Sequence, residues 1–236
     1  SAASDVYKRQ VYPNYWDADF IIYNDTQTTE DIASLQMAIN DSFVSAIQET
    51  EGVSEIHTVK GTPIVFPYDE NGFSDFWIKE YTELKPYLSY SETVSEYRKK
   101  PEKYYGMIKG VDESEFDYLN ETLGNVIDKQ EFLNGETAIL QYAGFEIPKE
   151  WIGSTVSFSI ENQKQEITIG AINYGDYYGA TVNCGANLIV SEDYVETLTE
   201  KSCILSVNIK YEQSYEAETE KEIKNVVETS PYNSNL

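Results

Sequence analysis

A chain of 236 residues with 41 acidic side chains against 17 basic ones carries a formal charge of −24; it repels phosphate backbones and anionic lipid headgroups alike, which argues against nucleic-acid partners and peripheral membrane attachment. At 41% hydrophobic and 14% aromatic it is too apolar to stay disordered, and long enough for one sizeable core or two small ones. Two cysteines and one histidine leave no room for a disulfide scaffold, a cysteine zinc site or a multi-histidine metal centre.

The first residues, Ser1–Gln10, match nothing in the patterned chain after them and read as a leader or cloning remnant. Trp16–Tyr23 alternates between apolar and polar positions, which predicts a half-buried strand. Thr28 stands three residues before Asp31 as in a capping box, and Ile32, Leu35, Ile39, Phe43 and Ile47 follow at helical spacing, so a long helix is expected to end at Gly52. Val53–Val59 completes a β-α-β start, and GTPIVFP (Gly61–Pro67) reads as a separate short strand. Turn signals and aromatic-rich pieces from Tyr68 to Lys100 predict loops with short helices.

Tyr104–Asp112 is strand-like, and the helix after it should close at Gly124 with Phe116, Leu119 and Leu123 inward. Another strand is expected at Thr137–Tyr142. TVSFSI (Thr155–Ile160) and QEITIGAI (Gln165–Ile172) are two strict alternations joined by a polar turn, which predicts a hairpin. Its core faces would be Val156, Phe158 and Ile160 against Ile167, Ile169 and Ala171, with a bulge permitted at Gly170. Asn187–Val190 is a strand, followed by a helix capped by Ser191. Cys203–Tyr211 places Leu205, Val207, Ile209 and Tyr211 on one face, and the last helix runs from Tyr215 to Thr229. The two chain ends therefore look like two βα halves of one layer. No run approaches the ~20 apolar residues of a membrane span, and no basic start followed by an apolar run marks a secretory signal.

Five stretches, in this order, resemble the extracytoplasmic domain of FtsX-like or MacB-type ABC transporter permeases. DADFIIYND with its following helix and EGVSEIH are similar to the family's opening strand, helix and strand. YYGMIKGVDESEFDYLNETLGN resembles its strand-to-helix signature, and WIGSTVSFSI with QEITIGAI resembles its paired strands. NLIVSEDYVETL and CILSVNIKYEQSYEAETEKEI resemble its closing elements. The resemblance spans Tyr15 to Val227. It departs at Trp151-Ile152-Gly153-Ser154, where an acidic residue usually follows the glycine, and in the longer, more aromatic segment Tyr68–Lys100.

The resemblance implies an α+β fold in two lobes. A porter-like βαβ/βα layer would come from residues 11–100, with the aromatic insertion 68–100, and from residues 198–236; a small mixed α/β lobe with the β-hairpin would be inserted at residues 101–197. It further implies a soluble domain on the extracytoplasmic face of the plasma membrane, without catalysis or cofactor. Its partners would be its own transmembrane helices, a separate ATP-binding subunit and a second permease copy, serving export of or resistance to peptides, lipoproteins or small drugs. A loop held between two membrane spans needs both ends on one side of the molecule.

The chemistry-bearing residues are sparse. No G-x-S-x-G, P-loop, G-x-G-x-x-G or H-E-x-x-H motif occurs. His57 reads as a structural histidine on a strand. A carboxylate-pair hydrolase leaves no local signature among so many acids, and it stands third among the functional readings. YDENGFSD offers Asp69, Glu70, Asn71 and Asp75 as oxygen ligands for calcium, although an Asn-Gly turn explains it more simply. Cys184 and Cys203 are either one bridge or two buried thiols. Two aromatic clusters stand out, Phe76, Trp77, Tyr81, Tyr87 and Tyr90, and then Tyr174, Tyr177 and Tyr178. Aromatics with a polar tip bury area at low entropic cost, so the clusters are expected to dock a partner, a cationic peptide or a lipid-linked ligand. The same clusters would equip a secreted carbohydrate- or peptide-binding protein, the alternative to the permease reading.

Overall fold

The computed structural model describes residues 17–24, 38–142, 144–173, 185–213, 217–231 and 236. In chain order the elements are β1 (Phe20–Tyr23), α1 (Asp41–Gln48), β2 (Val53–Val65), α2 (Phe73–Leu84), α3 (Tyr90–Lys99), β3 (Tyr105–Val111), α4 (Glu113–Thr122), α5 (Lys129–Leu133), β4 (Thr137–Gln141), β5 (Thr155–Ile160), β6 (Gln163–Asn173), β7 (Asn187–Ser191), α6 (Glu192–Leu198), β8 (Cys203–Tyr211) and α7 (Ala217–Thr229). The fold is α+β, as expected, and among the described residues it is built around one mixed sheet of eight strands in the order β1-β8-β2-β3-β7-β4-β6-β5.

One strand organises the sheet. β2 runs for 13 residues: its N-terminal part, Val53 to Gly61, pairs antiparallel with β8, and its C-terminal part, Lys60 to Val65, pairs antiparallel with β3. At its far end Val65 meets Ser159 of β5, which closes β2, β3, β7, β4, β6 and β5 into a ring. The sequence reading splits β2 at Gly61 because Gly and Pro63 are turn signals. Here Gly61 serves close approach instead: a Cβ there would stand 2.1 Å from the Ile108 carbonyl oxygen of β3.

Three apolar clusters follow from this path. The first takes side chains from all six ring strands, among them Ile64, Ile108, Leu140, Phe158, Ile169 and Leu188. A second lies between the ring and α4 and α5, where Phe116, Leu119 and Phe132 cover Val59, Val111, Ile139 and Ile189. The third belongs to the layer made from both chain ends: Ile22, Phe43, Ile47, Val207, Ile209 and Ile223 join β1 and β8 to α1 and α7. Pairing of β1 with β8, Phe20 opposite Ile209, puts the first described strand beside the last.

Local signals read in the sequence are recognisable in the elements. Gly52 closes α1 at φ +91 as expected, but the expected continuous helix is interrupted at Asn40, which caps α1 by accepting from the Phe43 amide at 2.9 Å so that α1 begins only at Asp41. The part of the expected long helix before Ala38, with Ile32 and Leu35, lies outside the described residues, as do Trp16 and Tyr215. Asp112 caps α4 through the Glu115 amide at 2.9 Å, and Gly124 ends it at φ +88. β5 and β6 form the expected hairpin, Val156 opposite Ile167. The bulge falls at Gly170: the register with β4 passes from Ala138–Ile169 to Ile139–Ala171. It reverses the alternation, so Ala171 joins the outer cluster while Ile172 turns into the ring. Helix α5, five residues long, has no counterpart in the sequence reading. Among the described residues, no helix is long and apolar enough to cross a membrane.

Candidate functional site

The segment expected as loops with short helices folds as two helices of 12 and 10 residues, α2 and α3. Their start is fixed by a buried carboxylate. Asn71 takes a left-handed φ of 63, turning the chain so that Asp75 faces inward with its side chain 3% exposed. The Tyr68 and Tyr90 hydroxyls donate to Asp75 Oδ1 at 2.9 and 2.5 Å. Lys79 Nζ lies 3.0 Å from Oδ2, and the Asn71 amide donates to Oδ2 at 3.3 Å. Burial pushes the carboxyl up, but these four donors outweigh it and hold Asp75 below its ordinary value. The oxygens considered for calcium are thus engaged at Asp75 by protein donors, and among the described residues no three His, Cys, Asp or Glu side chains group as a metal site.

Between α2, α3 and the strand ends of β3, β4 and β7 lies a cleft of about 550 Å3, with Phe66, Phe73, Trp77, Tyr81, Tyr97, Tyr104, Tyr105 and Tyr142 in its walls. Trp77 and Tyr81, one turn apart on α2, stack at 4.8 Å and 13°. Tyr97 of α3 and Tyr104 stack at 4.2 Å and 5°. The Tyr97 hydroxyl donates to the Phe66 carbonyl, which ties α3 to the end of β2. Lys85 Nζ donates to the Tyr81 hydroxyl at 2.9 Å and stands 4.6 Å from its ring centroid. That bond raises the ammonium above its ordinary value, so Lys85 is charged at neutral pH. On the same rim Lys103 Nζ lies 2.7 Å from Glu96.

The expected aromatic cluster divides in this geometry. Trp77 and Tyr81 line the cleft. Phe76, on the other side of α2, packs against Trp151 and Phe145 at 5.4 and 6.1 Å between centroids. Tyr90 is committed to Asp75, and Tyr87 projects from the α2–α3 turn at 79% exposure. Tyr174, Tyr177 and Tyr178 lie outside the described residues. Phe66, Phe73, Lys85, Tyr97, Tyr104, Tyr105 and Tyr142 are among the lining residues that sequence reading missed; they come from separate segments, and no local spacing connects them.

Away from the cleft, His57 of β2 faces carboxylates. Its Nδ1 lies 2.5 Å from Asp112 Oδ2, and its Nε2 3.6 Å from Glu55 Oε1. Burial lowers its pKa, but the hydrogen bond and charge of Asp112, with Glu115 and Glu55, prevail, and the net shift is upward from 6.5. Cys203 is a buried free thiol pushed up by burial to about 11; Cys184 lies outside the described residues.

No protein-family model and no curated protein matches the sequence. Among solved structures, the chain is similar to the extracellular domain of the noncanonic ABC-type transporter YknZ from Gram-positive bacteria, at 9% identity and a TM-score of 0.39 over 88% of each chain. It is also similar to the periplasmic region of MacB from Actinobacillus actinomycetemcomitans, at 10% identity and a TM-score of 0.41 over 88% of this chain and 80% of that one. Both are distant likenesses of fold.

Proposed function

We propose that the chain is the extracytoplasmic domain of an FtsX-like ABC transporter permease, a non-catalytic part that couples movement of membrane helices to a partner or substrate outside. The observation that supports this reading is the construction of the terminal layer. β1 and β8, nearest the two ends, are paired neighbours, α1 and α7 pack on them, and β2 leads out of that layer into the ring. A domain driven from both ends gains from this arrangement, because one layer receives the displacement and one continuous strand passes it on. The order of family-like motifs from Tyr15 to Val227 supports the same reading. Under it, residues 11–100 and 198–236 form the driven part, and residues 101–197 the inserted one. The partners are its own transmembrane helices, a separate ATP-binding subunit and a second permease copy, and the process is export of or resistance to peptides, lipoproteins or small drugs.

The aromatic cleft favours one other reading, a secreted carbohydrate- or peptide-binding protein. Reading the gene on both sides of this stretch separates the two, together with protease accessibility of the domain on intact cells. The permease reading expects an apolar span of about 20 residues on each flank and cleavage from outside. A cleavable signal peptide upstream, with a stop codon or a second soluble module downstream, would overturn it.

A further inference from the structure

The cleft beside α2 and α3 offers more than rings. On its rim Glu96 neutralises Lys103, whereas Lys85 has, among the described residues, no carboxylate in ion-pair reach and is held by the hydroxyl and ring of Tyr81, with Tyr87 beside it. Trp77, in the wall, buries its indole N–H, which has no hydrogen-bond partner among the described residues. The lining therefore presents one net positive charge and two stacked ring pairs, Trp77–Tyr81 and Tyr97–Tyr104.

We propose that this cleft binds a small amphipathic anion, a molecule whose flat or apolar body lies against the two ring pairs and whose single acidic head meets Lys85. The space of about 550 Å3 falls within the roughly 300–1,000 Å3 of small-molecule sites. Stacked rings with two side-chain torsions each lose little freedom on binding. The net charge of −24 favours cations at long range, but beyond about 8 Å it is screened at physiological salt. The contact charge at Lys85 therefore decides the sign of the head group, and one net positive charge in the lining matches a head with one negative charge. Lipid-linked or peptide-derived carboxylates share this chemistry.

The inference rests on reading the α2–α3 face as the binding side of the domain. Its test is independent of what flanks the chain: absence of membrane spans would overturn the permease reading and leave the binding result standing. Dansylglycine and dansylcadaverine carry one fluorophore with opposite charges, and each is titrated into the 236-residue chain by its emission. Dansylglycine is expected to bind saturably, with dansylcadaverine about tenfold weaker or more. Lys85→Met should weaken dansylglycine about tenfold, equivalent to about 1.4 kcal/mol, and Lys85→Arg should retain it, which a change of local structure alone would not produce. Trp77→Phe keeps an aromatic ring against Tyr81 but shrinks the stacking face and should weaken binding by a smaller factor. Equal or tighter binding of dansylcadaverine, an unchanged Lys85→Met affinity, or no binding of either probe would overturn the proposal.

Discussion

Asp75 shows how one side chain fixes a segment. Its carboxylate is satisfied by two tyrosine hydroxyls, Lys79 and a backbone amide, and hydrogen bonds to a charged group each contribute about 1.5–3 kcal/mol. Asp75→Ala leaves the Tyr68 and Tyr90 hydroxyls without their acceptor and is expected to cost about 2–3 kcal/mol at neutral pH by urea denaturation. Because the folded carboxyl titrates below the ordinary 3.8, this contribution is complete above that value and is lost as pH falls through the lower folded one. The gap between wild type and Asp75→Asn should therefore narrow in strong acid; a gap independent of pH would contradict the ionised assignment. The acidic segment around Asp75 was legible as a turn, but its engagement was not. Tyr90 lies 15 positions away, beyond the reach of any local pattern.

At the scale of elements, packing of α6 on β3 depends on a residue without a side chain. A Cβ on Gly110 would meet Glu192 Cα at 2.8 Å and Val195 Cγ2 at 2.9 Å. Gly110→Ala should force α6 away from the strand and cost about 1–3 kcal/mol, read as a lower melting temperature; an unchanged melt would mean that α6 yields freely. Strands and helices with strong local periodicity were legible, as β5 and α4 illustrate, because one face of each meets a single core. Long-range decisions were not. Gly61 and Pro63 carry turn signals and yet lie inside β2, since the close approach of β3 depends on the missing Cβ. Likewise Trp77 and Tyr81, four apart, could be read as one face of a helix, while Tyr97, Tyr104 and Tyr142 reach the same cleft only through tertiary folding.

For the molecule as a whole, the passage from terminal layer to ring is spanned by charge. His57 lies where β2 still pairs with β8, and Asp112 follows β3 of the ring, so their 2.5 Å contact straps the two sections across the register shift at Val59–Lys60. Glu55 on β2 and Glu115 on α4 add negative charge around the imidazole. Glu192 of α6 faces Asp112 and Lys60, and its carboxyl is raised, first by burial and then by Asp112. Lys210 of β8 is occupied by Asp17 and Glu55. A histidine raised above 6.5 stabilises fully below that value and loses its contribution as pH rises through the folded value. Thermal melts from about pH 5.5 to 9 should show a decline that His57→Gln flattens; the same decline in the variant would assign it to other groups. The ring itself is fastened differently. Its circle of strands closes at one bridge, Val65 with Ser159, whereas β7 is paired on both sides, to β3 and β4. That single bridge is a clasp: releasing it unrolls the ring without breaking another ladder and bares the apolar interior at Phe158 and Ile160. Amide hydrogen exchange should therefore run ahead at those amides of Thr155–Ile160 that do not bond to β6, while the β7 amides stay protected.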